Sequence, residues 1–420
     1  MGSTFSGLRD FGREGMQLVI TEVDSYEQRT TLGCNADDRK VNRIARANLE
    51  SSLGATVTVA PLISGVVAFI ALTTAMATAV SAHGVLNDGV DPWTAWNLTP
   101  DITLGTLLVA GLYSVGLWRL RHKTDRMRIW RHVSFFAGLA AIFLALQSPI
   151  DPIAERVFLV HQVQHLLLRM IGPMLLFLAA PQGVLIAGMP ETAQRRLLIP
   201  VITNRLVGGL FAFLSYPAIA TALFIGALYF WQIPRYHDLA ILNDNVHYLM
   251  HASILFTGLV FFWRIFDFRP APMGTRYGVR LMMLWVTILS NIVIGSYLAF
   301  KQTVLYSAYA QLGRIWDLSA LGDELLGGAF IWIPSSMMGL LSVLIVVHMW
   351  GRHETKEEQR RSMMLHRRGY GHNEPPMTAV ELIQGAAAKN REMALGLTVF
   401  VIAVFTAAIA IGVINQMMGS

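Results

Sequence analysis

Nine apolar stretches run through the chain, at about residues 56–82, 101–118, 132–147, 157–180, 207–230, 247–266, 279–300, 325–349 and 393–415. A helix rising 1.5 Å per residue needs about 20 such residues to cross roughly 30 Å of hydrocarbon. Each stretch is therefore expected to be a membrane helix. The third is short, with His132 and Gln147 at its interfaces. Pro149 and Pro152 end one helix and space the next, because proline lacks the N–H that continues a helix. Val184 to Ala187, between Pro181 and Pro190, is too short to cross and is expected at an interface. The predicted fold is an all-α polytopic membrane protein of about nine spans.

Composition agrees. Of 420 residues, 54% are hydrophobic and 14% charged, whereas soluble domains carry about 25% charged residues. The net charge of +6 does not indicate a nucleic-acid partner, because the basic residues gather between the apolar stretches. With the amino terminus inside, the inner segments hold 28 Lys and Arg, the outer segments hold 4, and Arg169 lies within a span. That asymmetry obeys the positive-inside rule and predicts a cytoplasmic amino terminus and a periplasmic or extracellular carboxyl terminus in an inner (plasma) membrane. The chain then divides into a cytoplasmic tail (1–53), a first helix and outer loop (54–99), a membrane core (100–350), a cytoplasmic loop (351–392) and a last helix (393–420). Arg352 to Arg368 reads as an inner-surface helix or loop facing anionic lipid. Cys34 is the only cysteine, which excludes an intrachain disulfide or a CxxC pair. No GxxxxGK or Rossmann pattern supports nucleotide-driven transport.

The unusual chemistry lies in two His-x3-His pairs, His161/His165 and His247/His251. Residues four apart share a helix face, so each pair can offer two imidazoles to one ion. Both pairs open helices that run from outside to inside, which places four imidazoles at one shallow depth. Imidazole suits Cu, Zn, Ni and Fe, with copper favoured by the Irving–Williams order. A pair separated by one turn, about 6 Å, fits a compact metal site better than two stacked haems, although a single haem remains an alternative. Asp151, Gln164, Gln232, His237 and Asp238 are candidates to support or load the site, since a metal-bound imidazole usually gives its other N–H to a carboxylate or carbonyl. Arg169, four residues past His165, is expected deeper on the same face. There it would pair with a buried acid, bind an anionic group or floor the site, and Asp323 and Glu324 match it only roughly in depth. No nucleophile, phosphate cradle or catalytic carboxylate pair accompanies these residues, so an enzyme is not expected.

Several of these pieces are familiar together. Ser148-Pro149-Ile150-Asp151, HQVQHLLLRMIGPMLLFLAAP from His161 to Pro181, and WQIPRYHD from Trp231 to Asp238 are followed by VHYLMHASILFTGLVFFW from Val246 to Trp263 and DELLGGAFIWIP from Asp323 to Pro334. Across residues 100–350 the sequence resembles the CtaG-type assembly factors of bacterial caa3 cytochrome c oxidases. The resemblance implies a seven-helix core with one added helix at each end, and a role in forming active oxidase through copper delivery or maturation of a copper centre. It implies His161, His165, His247 and His251 as metal ligands. It implies an oxidase subunit and a periplasmic copper chaperone as partners, beside membrane lipid and, as an option, a second copy of the chain. The alternatives are a haem- or quinone-linked membrane electron carrier, a transporter and a metal-free oxidase scaffold.

Overall fold

A computed structural model of the protein describes residues 91–96, 98–121, 129–269 and 274–367, with single positions at 391, 395, 396, 398, 399, 402 and 406. The expected amino-terminal tail with Cys34 and the first span lie outside the described residues, as does most of the last span. The described residues are all-α. After a short 3-10 turn at Pro92–Thr94 come α1 (Pro100–Leu120), α2 (Ile129–Gln147), α3 (Ile150–Ala154) and α4 (Phe158–Leu178). They are followed by α5 (Gln182–Gly188), α6 (Glu191–Thr203), α7 (Arg205–Leu214), α8 (Pro217–Trp231) and α9 (Pro234–Leu242). The series ends with α10 (Asp244–Ile265), α11 (Tyr277–Phe300), α12 (Ala308–Leu312) and α13 (Ala320–Arg367).

Among the described residues, α1, α2, α10, α11 and α13 are each long and apolar enough to span a bilayer. Three bent pairs raise the number to as many as eight if each counts as one span: α4 with α5 at 77°, α6 with α7 at 66°, and α8 with α9 at 74°. The surface carries Leu107, Val133, Met282, Val293 and Leu344, each more than half exposed, while Gln147, Gln164 and Asn291 are buried. Apolar groups outside and polar groups inside are what a lipid environment selects, since every polar group there must find its partner within the protein. The chain is a multi-pass membrane protein.

Two boundaries depart from expectation. The apolar stretch 207–230 is not one helix, because the chain breaks at Ser215 and Tyr216 before Pro217 opens α8. Pro217 cannot donate to the turn before it, and Arg264 of α10 clasps the break through the Ser215 carbonyl and hydroxyl. Conversely, the span expected at 325–349 belongs to a single 48-residue helix that carries Pro334 and continues to Arg367. The apolar pattern ends near Met349, but Glu357 and Arg361, four apart, favour the same helix beyond it.

Small residues set how closely the helices approach. α11 and α13 pack along much of their length, with Gly295 against Trp332 and Gly339 against Ile288. α10 meets α4 at Gly258, where a Cβ would press on the Arg169 carbonyl and lie 3.1 Å from the Pro173 ring. Gly258→Val is therefore expected to cost about 1–3 kcal/mol of overpacking and to push apart the two helices that carry the histidine pairs. Thermal unfolding in detergent should place Gly258→Ala between wild type and the valine variant.

Candidate metal site

The two histidine pairs meet. α4 supplies His161 and His165, α10 supplies His247 and His251, and the helices are neighbours. Ring centroids lie 4.3 Å apart in the first pair and 4.4 Å apart in the second. Between helices, His161 lies 5.3 Å from His247, and His165 lies 5.6 Å from His251. The pairs therefore match turn for turn. All four side chains are 3% exposed or less.

Two three-residue sets have ligand atoms within 4.8 Å of one another: His161 with His165 and His251, and Asp151 with His247 and His251. The Nε2 of His161 and both ring nitrogens of His165 are buried and form no hydrogen bond with the protein. A buried polar atom left unsatisfied costs about 1–3 kcal/mol, and a cation among these lone pairs would satisfy them. The donor set therefore fits a metal ion.

Further groups hold the cluster in place, and one chain of contacts begins at His237. This fifth imidazole, on α9, is 5.2 Å from the His161 ring. Its Nδ1 lies 2.9 Å from the Trp231 carbonyl, and its Nε2 lies 2.9 Å from the Tyr309 hydroxyl. The same hydroxyl is 2.9 Å from His161 Nδ1. Burial, and then the Asp323 carboxylate, hold the Tyr309 phenol well above its ordinary pKa, so it remains a donor at neutral pH. The Trp231 carbonyl can only accept, which puts the proton of His237 on Nδ1. In the neutral ring Nε2 then accepts from Tyr309, whose oxygen accepts in turn from Nδ1–H of His161. This order leaves the His161 Nε2 lone pair facing the cluster, a tautomer set from the outer contacts as metal sites require. Tyr309→Phe is expected to lower metal affinity by about 10–100-fold and to cost about 1–3 kcal/mol for each ring nitrogen that it strands, measurable by chelator competition and thermal unfolding.

The candidate supporting residues divide. Asp151, on α3, is 4% exposed and joins the second ligand set itself. Gln164 donates to its Oδ1 at 2.6 Å and to the Ala145 carbonyl at 2.8 Å, so it steadies the acid rather than an imidazole. Gln232 donates to Gln162 Oε1 and accepts from Tyr306, which ties the end of α8 to α4 away from the ligand sets. Asp238 accepts from the Ser307 amide and hydroxyl and from the Ala308 amide, and so seats the short helix that carries Tyr309.

Asp323 and Glu324 have different work from the one their depth suggested. Asp323 accepts from the Phe158 and Leu159 amides at 2.9 Å each, capping the start of α4 one turn before His161. Glu324 accepts from the Leu305 and Tyr306 amides and pairs with Lys301. Arg169 pairs with neither, nor with any other acid among the described residues. It lies within a wide π-type turn at Leu167–Ile171. Its guanidinium donates to Asn291 Oδ1 and the Phe224 carbonyl, both at 3.3 Å, and sits 3.8 Å over the Phe224 ring. Tyr306, Tyr309, Gln162 and Glu155, whose Oε1 lies 3.7 Å from His247 Nδ1, were not apparent from the sequence. Their spacing from the histidines carries no periodic signal, although two tyrosines three apart on an outer segment could have been read.

Relatives in mycobacteria share much of this chain. An uncharacterized protein of Mycobacterium tuberculosis and one of Mycobacterium bovis are each 24% identical over 274 residues, which is 64% of this chain and 41% of each relative. A third, from Mycobacterium leprae, is 23% identical over 267 residues, 62% of this chain and 40% of that protein. The chain thus spans about two fifths of the length of these curated relatives. No solved structure matches it. The family model described as cytochrome c oxidase caa3 assembly factor matches residues 111–353, more than half of the chain and all of the helices that carry the histidine cluster. The chain belongs to the caa3 cytochrome c oxidase assembly factor family, Caa3_CtaG.

Proposed function

We propose that this protein is a non-enzymatic factor of cytochrome c oxidase assembly that receives copper, holds it on His161, His165, His247 and His251, and passes it to a copper centre of an oxidase subunit. The observation that carries this reading is the set of buried imidazole nitrogens facing one another without hydrogen bonds. Family membership supports an oxidase as the client. The imidazole rings pack at centroid separations of 4.3–5.8 Å, which leaves no slot for a porphyrin and favours an ion over a haem.

In this reading the protein lies in the bacterial inner membrane with its amino terminus cytoplasmic, and a periplasmic copper chaperone loads the cluster. The family core runs from about residue 100 to 350, between one added helix at each end. The test is copper analysis of the full chain purified without chelators from copper-replete cells, with a variant carrying Ala at all four histidines as the blank. About one copper per chain is expected. The same near-zero content in both proteins would end the proposal.

A further inference from the structure

The two ligand sets differ in charge and share one residue. His161, His165 and His251 offer three neutral nitrogens, whereas Asp151, His247 and His251 include a carboxylate. Every one of these side chains is 4% exposed or less, so an ion bound here keeps little of its hydration, and its charge must be met by its ligands. The all-imidazole set has no anion to meet it. It also contains His165, and the Arg169 guanidinium lies in the next turn of α4 without an acid partner. A second positive charge is costly in such a place. The other set contains the Asp151 carboxylate and lies toward Glu155, whose Oε1 is 3.7 Å from His247 Nδ1 and whose side chain is 18% exposed.

We propose that the cluster is two overlapping metal positions joined at His251: a carboxylate-bearing position at Asp151, His247 and His251 that takes a divalent ion, and a deeper all-imidazole position at His161, His165 and His251 that takes Cu(I). Because both positions need His251, one ion is held at a time. Asp151 is then a ligand in its own right, with Gln164 holding its carboxylate toward the imidazoles. Glu155 marks the more exposed side, so an arriving ion meets the carboxylate first. This inference rests on the metal-binding reading above and refines which residues hold which ion.

The experiment uses the full chain in detergent, stripped of metal, with Zn(II) as the redox-inert divalent probe and Cu(I) supplied under a competing chelator. Asp151→Asn is expected to lower Zn(II) affinity more than tenfold and Cu(I) affinity less than threefold. His165→Ala is expected to do the reverse. Each variant therefore reports its own folding through the ion it keeps. One equivalent of Cu(I) should release one equivalent of Zn(II) from the wild-type chain, and if either variant fails to fold, His247→Ala replaces Asp151→Asn and His161→Ala replaces His165→Ala with the same expected contrast. Equal weakening of both ions in both variants would overturn the two-position scheme in favour of one site and leave the metal-binding reading standing. Retention of zinc beside bound Cu(I) would overturn the alternation. Binding of neither ion by the wild type would remove both this proposal and the reading on which it rests.

Discussion

His251→Ala is expected to lower the affinity for Cu(I) and for Zn(II) alike by more than about 100-fold, since residues merely supporting a ligand already cost about 10–100-fold when lost. The reason is placement. His251 stands in the second turn of α10, and its ring faces both His165 and His161, at 5.6 and 5.8 Å between centroids. It is the one residue common to both ligand sets. His247→Ala, by comparison, should spare most of the Cu(I) affinity, because the three-imidazole set does not use it. Chelator competition for Cu(I) and a zinc-sensitive dye for Zn(II) would measure both variants. A His251→Ala protein that lost only one ion would show that the two sets do not meet there.

The second large effect concerns stability. Asp323→Ala should cost about 3–5 kcal/mol, the usual result of removing one partner from a buried charged arrangement, with a fall in Tm of roughly 5 °C. The carboxylate is fully buried, accepts the first two amides of α4 and lies 3.6 Å from the Arg314 guanidinium. Its loss would strand those amides and leave Arg314 without its acid. The start of α4 should then fray one turn before His161, so the variant is expected to lose copper as well as heat resistance. Asp323→Asn keeps one acceptor and should fall between the two. An alanine variant with wild-type Tm would show that the cap carries little of the stability.

Much of this was readable in the chain, and the physics explains what was not. Hydropathy marks where helices can lie in lipid, and the four-residue spacing of each histidine pair fixes a shared face. Those two facts located His161, His165, His247 and His251. Neither could say that α4 and α10 touch, which depends on the missing side chain at Gly258. Tyr309 stands 148 residues from His161 and Asp323 stands 165 from Phe158, and no local pattern links residues so far apart. The break before Pro217 was the reverse case. Its signal was present as a proline inside an apolar run, but hydropathy averages across such positions. The partners of Arg169 were hidden by distance as well: Asn291 and Phe224 stand 122 and 55 residues away, and neither is an acid.

The length of α13 has a mechanical side. Its 48 residues make a rod of about 72 Å, of which roughly 30 Å suffices to cross the hydrocarbon. The same rod holds Asp323 and Glu324 in its first turns, where they fasten both α4 and the segment that bears Tyr309. Asp323 and Arg361 stand 38 residues apart on it, about 57 Å at 1.5 Å per residue. The acids that fasten the histidine-bearing helix and the charged turns beyond the apolar pattern thus belong to one continuous element.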